Sequence, residues 1–376
     1  MSQYDIPDRL ISIKDVIPSA LIALGTRTGH ALLPIPPSHH VIVFLIDGLG
    51  ELQLQEHMVH ASAFQLGTQG FIATEFPSTR PVVLGSLGTG LSPGHHGMVG
   101  ASFWVPEEEQ MLAPLKWGST PHPLSITPDH TLFEIARDAG VNVATIAPSK
   151  HRESGLTRSV LRGSEYHGAN SPADIVKVFQ ERSSHMRSTE PALTYIYWPD
   201  LDRIGHVHGV GTPEWIEGLV VVNSLVSTLA EILVPGESLV VTSDHGMLTC
   251  PAESRIGIED HPSLSDSLIR IGGEPRVRHI YIRDGAQRDA QATWKSILGN
   301  RARVLTREEA IQQGLFQVAD ASIAERIGDL VVIATGNHTL TSRIDPRSSR
   351  LLGQHGATTP EEILVPLRIF QSENER

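Results

Sequence analysis

Three stretches of this chain present carboxylates and imidazoles in patterns that suit metal binding. Asp47 follows the unbroken apolar run Val41-Ile42-Val43-Phe44-Leu45-Ile46, and Asp244 with His245 follows Ser238-Leu239-Val240-Val241-Thr242-Ser243. Runs of this kind read as strands buried on both faces of a parallel sheet, whose ligands gather beyond the carboxyl ends of the strands. Two carboxylates delivered to one edge repel each other, so a cation between them is the economical arrangement. Asp202 and His206 form the third pattern, because one helical turn puts both side chains on the same side. Late in the chain, Gly353-Gln354-His355-Gly356 supplies a further imidazole, while His95 and His96, flanked by glycines in a turn, read first as structural.

Candidate hydroxyls and substrate cations lie nearby in the order of elements. Phe76-Pro77-Ser78-Thr79-Arg80-Pro81 leads into a helix expected from Val82 to Leu87, with Pro81 in its first turn and a stop at Gly88-Thr89-Gly90. A Ser or Thr at such a position ordinarily caps the helix, but the same amides stabilise an alkoxide or a phosphoryl group. The strand at residues 141–147 ends in a loop with Ser149, Lys150, His151 and Arg152, which face either a substrate anion or solvent.

The elements that must position these groups fit one α/β fold, a doubly wound, mostly parallel sheet with helices on both faces. In 376 residues, 40% of them hydrophobic, there is material for one large domain with an insertion. After Cys250 the pattern turns to short helices and strands, which places a small α/β insertion at about residues 251–328, between core segments 35–250 and 329–376. Leu330 to Ala334 is expected to resume the core, and the insertion, which holds none of the proposed ligands, to shape leaving-group choice.

A net charge of −12 without a run of basic residues argues against a nucleic-acid polymer or an anionic membrane as partner and leaves a small charged substrate held by metal. Residues 1–9 lack the pattern of an export signal, and no apolar run approaches the roughly 20 residues of a membrane helix, so a cytoplasmic location is expected. Cys250 reads as a small buried residue.

Taken in order, Asp47 after its strand, Phe-Pro-Ser-Thr before Thr-Gly-Leu-Ser-Pro-Gly-His-His-Gly, Asp202 with His206, Ser-Asp244-His245-Gly-Met and Gly-Gln-His355-Gly resemble the alkaline phosphatase superfamily. Within it they look most like type I phosphodiesterases and nucleotide pyrophosphatases, from about residue 40 to the C-terminus. The resemblance implies two divalent metals, Zn²⁺ first and Mn²⁺ second, bridged at a nucleophile. Asp47, Asp244 and His245 match the ligands of the metal that also binds the nucleophile, and Asp202, His206 and His355 match the other. Asp200 and His208 are the alternatives to Asp202 and His206. The family spacing back from Gly90 falls on Arg80, whose guanidinium cannot attack phosphorus, so Thr79 is the expected nucleophile and Ser78 the alternative. Ala101 stands where nucleotide pyrophosphatases carry an Asn that holds a phosphoryl oxygen, and Arg80, Ser102 or Lys150 is expected to replace that anchor. The implied activity is metal-dependent hydrolysis of phosphoric esters, a phosphodiesterase first. Phosphonate hydrolase, phosphomonoesterase and metal-binding pseudoenzyme are the alternatives.

Overall fold

The computed structural model describes residues 11–118, 120–185, 190–318 and 320–372. Residues 1–9, read above for an export signal, lie outside them. In chain order the principal strands are β1 (His40–Ile46), β2 (Gly70–Ala73), β3 (Asn142–Ala147), β4 (Glu165–Gly168), β5 (Ala192–Trp198), β6 (Glu237–Ser243), β7 (Leu268–Glu274), β8 (Val277–Ile282), β9 (Ala302–Thr306), β10 (Leu330–Ala334) and β11 (Leu364–Gln371).

A central sheet runs in the order β2-β11-β6-β1-β5-β3-β4, parallel except that β11 lies antiparallel to both its neighbours. Alternation along β1 explains why the sheet is covered on both sides. Val41, Val43 and Leu45 join one apolar core, shared with the helices at Val16–Ala23, Arg80–Thr89 and Leu132–Asp138. Ile42, Phe44 and Ile46 join the other, against the helices at Pro172–His185 and Pro213–Glu231. The chain therefore has the expected doubly wound α/β architecture.

Register sets the edge where chemistry gathers. Ile46 pairs with Ser243 on one side and with Trp198 on the other, so Asp47 and Asp244 emerge as neighbours and the helix Asp200–His208 starts beside them. Gly48 permits that approach. Its φ is +79°, and an added Cβ would lie 2.9 Å from Cα and Cβ of Asp202.

A second, antiparallel sheet has the order β7-β8-β10-β9, with its own apolar core around Trp294, Ile280 and Val332. Leu330–Ala334 belongs to this sheet, which corrects the expectation that it returns to the core. An isolated apolar run encodes burial on both faces but not which sheet provides the burial. Cys250 is buried, and burial pushes its thiol up to about 11, as a small interior residue should behave. Among the described residues, no helix is long and apolar enough to cross a membrane.

Two buried imidazoles away from the strand-end cluster are bonded as neutral rings. His279 receives the Gly328 N–H at Nδ1 (3.1 Å) and donates from Nε2 to the Val99 carbonyl (3.0 Å). His96 receives the Met98 N–H at Nδ1 (3.2 Å) and meets the Ser86 hydroxyl at Nε2 (3.0 Å). Burial lowers His279 to about 4 and His96 to about 3. The unfolded chain then takes up these protons first as pH falls, so stability present above about pH 6.5 should be lost toward about pH 4, by at most about 1.4 kcal/mol per pH unit for each ring. Urea unfolding across that range reads the slope, and His279→Gln should flatten it by one ring's share. An unchanged slope in the variant would remove His279 from this account.

Candidate metal centre

The carboxyl ends of β1, β5 and β6 and the loop before β11 converge on one cluster. Asp47 Oδ1 lies 3.4 Å from His245 Nε2, and Asp244 Oδ2 lies 3.6 Å from the same nitrogen. Asp202 Oδ1 lies 3.3 Å from His206 Nε2 and 3.8 Å from His355 Nε2. The His245 and His355 rings stack with centroids 3.6 Å apart, and His206 lies 5.1 Å from His355. Among the described residues, two triads have donor atoms all within 4.8 Å of one another: Asp47, Asp244 and His245, and Asp202, His245 and His355. The first is the expected ligand set. In the second, His245 stands where His206 was expected, although His206 still faces Asp202.

The imidazoles are oriented by main-chain carbonyls, which can only accept hydrogen bonds. His206 Nδ1 donates to Gly353 O (2.7 Å), His245 Nδ1 to Gly246 O (3.0 Å) and His355 Nδ1 to Ser78 O (2.9 Å). In a neutral ring this leaves Nε2 as a lone pair, and each Nε2 faces a carboxylate oxygen. Those oxygens, Asp47 Oδ1, Asp202 Oδ1 and Asp244 Oδ2, are buried and have no hydrogen-bond partner. Lone pairs facing carboxylates repel, and a divalent cation is the group that reverses the sign. Oxygen and imidazole donors with carbonyl-anchored rings fit Zn²⁺ or Mn²⁺.

Electrostatics agree with the geometry. Burial pushes the Asp244 carboxyl well above the usual range, and Asp47 and Asp202 push it further. Burial also raises Asp202, with Asp47 adding to the effect. For Asp47, burial acts upward but is outweighed by Arg80 and His245, which hold the carboxyl below its ordinary value. Burial lowers His245, and lowers His355 strongly with the two neighbouring imidazoles contributing.

The hydroxyl segment arrives from β2. Thr79 is the N-cap of the helix Arg80–Thr89, with extended backbone, and is 1% exposed. Its Oγ1 donates to Glu274 Oε2 (3.2 Å), and Ser78 Oγ donates to the Ala357 carbonyl (2.9 Å). Arg80, the next residue, donates from Nη1 to Asp47 Oδ2 (2.7 Å) and also to the Tyr197 hydroxyl, which itself donates to Asp47. Arg80 thus lines the site but spends one nitrogen on a candidate metal ligand.

These groups open into a cavity of about 420 Å³ whose wall also includes Ala101, Ser102, Glu274 and Arg278. Lys150 does not line it. Its place in a short turn of helix at Ser149–His151 leaves it exposed to solvent. Ser102 reaches the wall, but its hydroxyl donates to the Gly273 carbonyl (3.1 Å). Asp200 pairs with Arg203 at 3.2 Å and His208 lies 3.8 Å from Glu214, so both alternative ligands have other neighbours. His96 is engaged by Ser86, and His95 Nδ1 meets the Ser92 hydroxyl at 2.6 Å, both structural contacts.

Glu274 is the residue that sequence reasoning missed. It comes from residues 251–328, expected to carry no chemistry, yet it contacts Thr79 and lies 3.8 Å from His355 Nδ1. Burial pushes its carboxyl well above the usual range, against the Thr79 hydrogen bond and Arg278. The glycine at 356 makes room for it, since a Cβ there would stand 2.7 Å from Glu274 Oε1. No sequence spacing pointed to it.

Comparison with known proteins gives the family. Residues 41–358 match the family described as type I phosphodiesterase / nucleotide pyrophosphatase. The chain belongs to that family. It is accordingly an enzyme of the phosphoryl-hydrolase kind. Curated protein sequences give no significant match. Among solved structures, murine ectonucleotide pyrophosphatase / phosphodiesterase 5 superposes with a TM-score of 0.68 at 19% identity, over 88% of each chain. Phosphonoacetate hydrolase from Sinorhizobium meliloti 1021, in complex with phosphonoformate, gives 0.67 at 22% identity, over 91% of this chain and 92% of its own. At these identities the likeness is one of fold.

Metal analysis tests the cluster directly. Asp47→Ala should deplete metal at one site and Asp202→Ala at the other, and chelation should lower the melting temperature of the intact protein. Arg80→Ala should tighten metal binding at the Asp47 site by about an order of magnitude, since a fixed positive charge leaves the immediate vicinity. Looser binding in that variant would show that Arg80 supports the site and does not compete with it.

Proposed function

We propose that this protein hydrolyses phosphoric ester bonds, with phosphodiesters as the first substrate class, using Thr79 as the nucleophile and two divalent cations. The observation that carries the proposal is the set of three orphaned carboxylate oxygens facing three imidazole lone pairs beside a buried hydroxyl at a helix N-terminus.

Asp47, Asp244 and His245 would hold one cation and Asp202, His206 and His355 the other, with Zn²⁺ preferred and Mn²⁺ the alternative. When bound, such ions supply charge neutralisation for a phosphoryl group and favour ionised hydroxyls. The protein's own residues account for the remaining steps. Thr79 Oγ1 attacks phosphorus while its proton passes to Glu274, the carboxylate it already faces. The bond from phosphorus to the leaving oxygen breaks, and the alkoxide takes a proton from water. Water then cleaves the phosphothreonine ester, returning the Thr79 hydroxyl. The amides that open the helix Arg80–Thr89 and the free edge of Arg80 stabilise the equatorial oxygens.

Two similarities support this reading. A threonine-to-alanine form of the murine ectonucleotide pyrophosphatase / phosphodiesterase 5, described as inactive, was solved in complex with AMP. The Sinorhizobium meliloti hydrolase, solved with phosphonoacetate and with phosphonoformate, supports phosphonate hydrolysis as the second reading. A substrate in the cytoplasm is a further part of the proposal.

Hydrolysis of bis(4-nitrophenyl) phosphate with added Zn²⁺ or Mn²⁺, beside monoester and phosphonate substrates, tests the proposal. Thr79→Ala should lose turnover by several powers of ten and keep its metals, whereas Ser78→Ala should retain turnover. Glu274→Gln should lower kcat more than it changes KM, because the Thr79 hydroxyl keeps a partner but loses its proton acceptor. Loss of turnover in Ser78→Ala with Thr79→Ala still active would move the nucleophile by one residue. A metal-loaded wild type without turnover on any of the three substrate classes would favour a pseudoenzyme in which Arg80 has displaced the reactive hydroxyl.

A further inference from the structure

Ser78 carries a hydroxyl to which the hydrolytic reading gives no task. It precedes Thr79 and is 0% exposed, and Thr79 lines the cavity whereas Ser78 does not. Its polar atoms turn instead to three consecutive residues of the loop before β11, His355, Gly356 and Ala357. The Ser78 N–H donates to the Gly356 carbonyl (3.0 Å), and the Ser78 carbonyl accepts from His355 Nδ1 (2.9 Å). The hydroxyl adds a second pair of bonds. Oγ donates to the Ala357 carbonyl (2.9 Å) and accepts the Gly356 N–H (3.1 Å).

The hydroxyl bonds matter because of where the loop sits. Gly356 is buried and has φ +127°, outside any helix or strand, so its N–H depends on a side chain for an acceptor. The residue before it is His355, whose Nε2 lies 3.8 Å from Asp202 Oδ1. One bond from Nδ1 to the Ser78 carbonyl orients the ring, but the ring can hold its place only if the loop behind it is held too. The Ser78 hydroxyl does this by taking the Gly356 N–H and reaching the Ala357 carbonyl. Without it, a buried N–H and a buried carbonyl lose their partner, and the loop must shift to recover them. The segment itself would stay attached, through the main-chain bonds of Ser78 and the Thr74 hydroxyl, which donates to the Asp244 carbonyl.

We propose that Ser78 is a positioning residue for His355: its hydroxyl fixes, before any cation arrives, the loop that aims Nε2 at Asp202, and so sets cation affinity on the Asp202–His355 side of the cluster. This rests on the reading of the strand-end cluster as a metal centre. Ser78 neither ligates a cation nor touches substrate, and it ties the segment that presents Thr79 to one candidate ligand.

Zn²⁺ titration of the metal-free, full-length protein against a competing chelator tests this without turnover. His355→Ala identifies which of the two binding steps belongs to the His355 side. In Ser78→Ala that step should weaken about tenfold, the lower end of the range for losing a group that orients a ligand, while the other stays within about twofold. Ser78→Thr keeps the hydroxyl and should keep the affinity. In the His355→Ala background, Ser78→Ala should leave the remaining step unmoved, whereas a merely structural role would weaken both steps in both backgrounds. Turnover of Ser78→Ala should accordingly depend on Zn²⁺ concentration and return when Zn²⁺ is in excess. Amide exchange in the wild type serves if the Ala variant fails to fold: the Gly356 N–H should be as protected without metal as with it. Unchanged affinity in the folded Ala variant, equal weakening of both steps, or rapid exchange at Gly356 in the metal-free wild type would overturn the proposal. A wild type that binds two Zn²⁺ ions beside an indifferent Ser78→Ala sinks only the positioning role, and a wild type that binds no Zn²⁺ sinks the metal centre with it.

Discussion

The constraint on which this structure depends is the mutual repulsion of three carboxylates brought together in the interior. Asp47 and Asp244 are fully buried and Asp202 is 8% exposed, and each leaves one oxygen without a hydrogen-bond donor. Taking such charges out of water costs several kcal/mol apiece unless opposite charge accompanies them. Arg80 supplies a single positive charge, directed at Asp47. The surrounding loops donate to Asp244 Oδ1 from the Gly48 and His245 amides (3.1 and 3.0 Å) but not to the orphaned oxygens of Asp244 and Asp202. They turn imidazole lone pairs toward them, by fixing each Nδ1 on a carbonyl of Ser78, Gly246 or Gly353. A fold stabilised only by its own contacts would avoid that arrangement, and a site built to receive divalent cations requires it.

The second sheet matters because its first two strands supply part of the cavity wall, through Ile271, Gly273, Glu274 and Arg278. The connection between β7 and β8 is held against the body by the Arg276–Glu362 pair, with both side chains 0% exposed. Glu362 also receives the Ala357 N–H (2.9 Å), so one carboxylate couples the hairpin to the loop that carries His355. Displacement of the hairpin would therefore move Glu274 and His355 together. Breaking a buried pair by removing one partner costs about 3–5 kcal/mol, which makes the position of Glu274 a fixed property of the fold.

Much of this was legible in the sequence because strands buried on both faces have a plain signature. The runs before Asp47 and Asp244 are continuous and apolar, and an acidic residue at the end of such a run lies at the functional edge of a parallel sheet. Asp202 and His206 were legible from helical spacing. His355 carried no such signal by itself and stood out only through resemblance. Lys150 illustrates the limit of the edge rule, which places a loop correctly but does not say which way a short helical turn aims its side chains. Glu274 and Arg278 were not legible at all, since their place in the cavity follows from docking one sheet against another. The same limit applies to Leu330–Ala334, whose composition suits either sheet.

Thr79 and Arg80, neighbours in the chain, face different groups for a geometric reason. An N-cap residue has extended backbone, here φ −137° and ψ 143°, whereas the residue after it is already helical, so their side chains leave the chain in different directions. At this terminus Thr79 points to Glu274 and Arg80 points to Asp47. Sliding the sequence forward by one position would place the Thr79 hydroxyl where Arg80 now stands, against the carboxylate cluster, and leave Ser78 facing Glu274. In the arrangement found, the hydroxyl has a carboxylate from the second sheet as its proton acceptor, and the permanent positive charge lies between that hydroxyl's helix and Asp47. Thr79 is thus separated from the residue that balances Asp47, and its hydroxyl is held by Glu274, a side chain delivered by the second sheet.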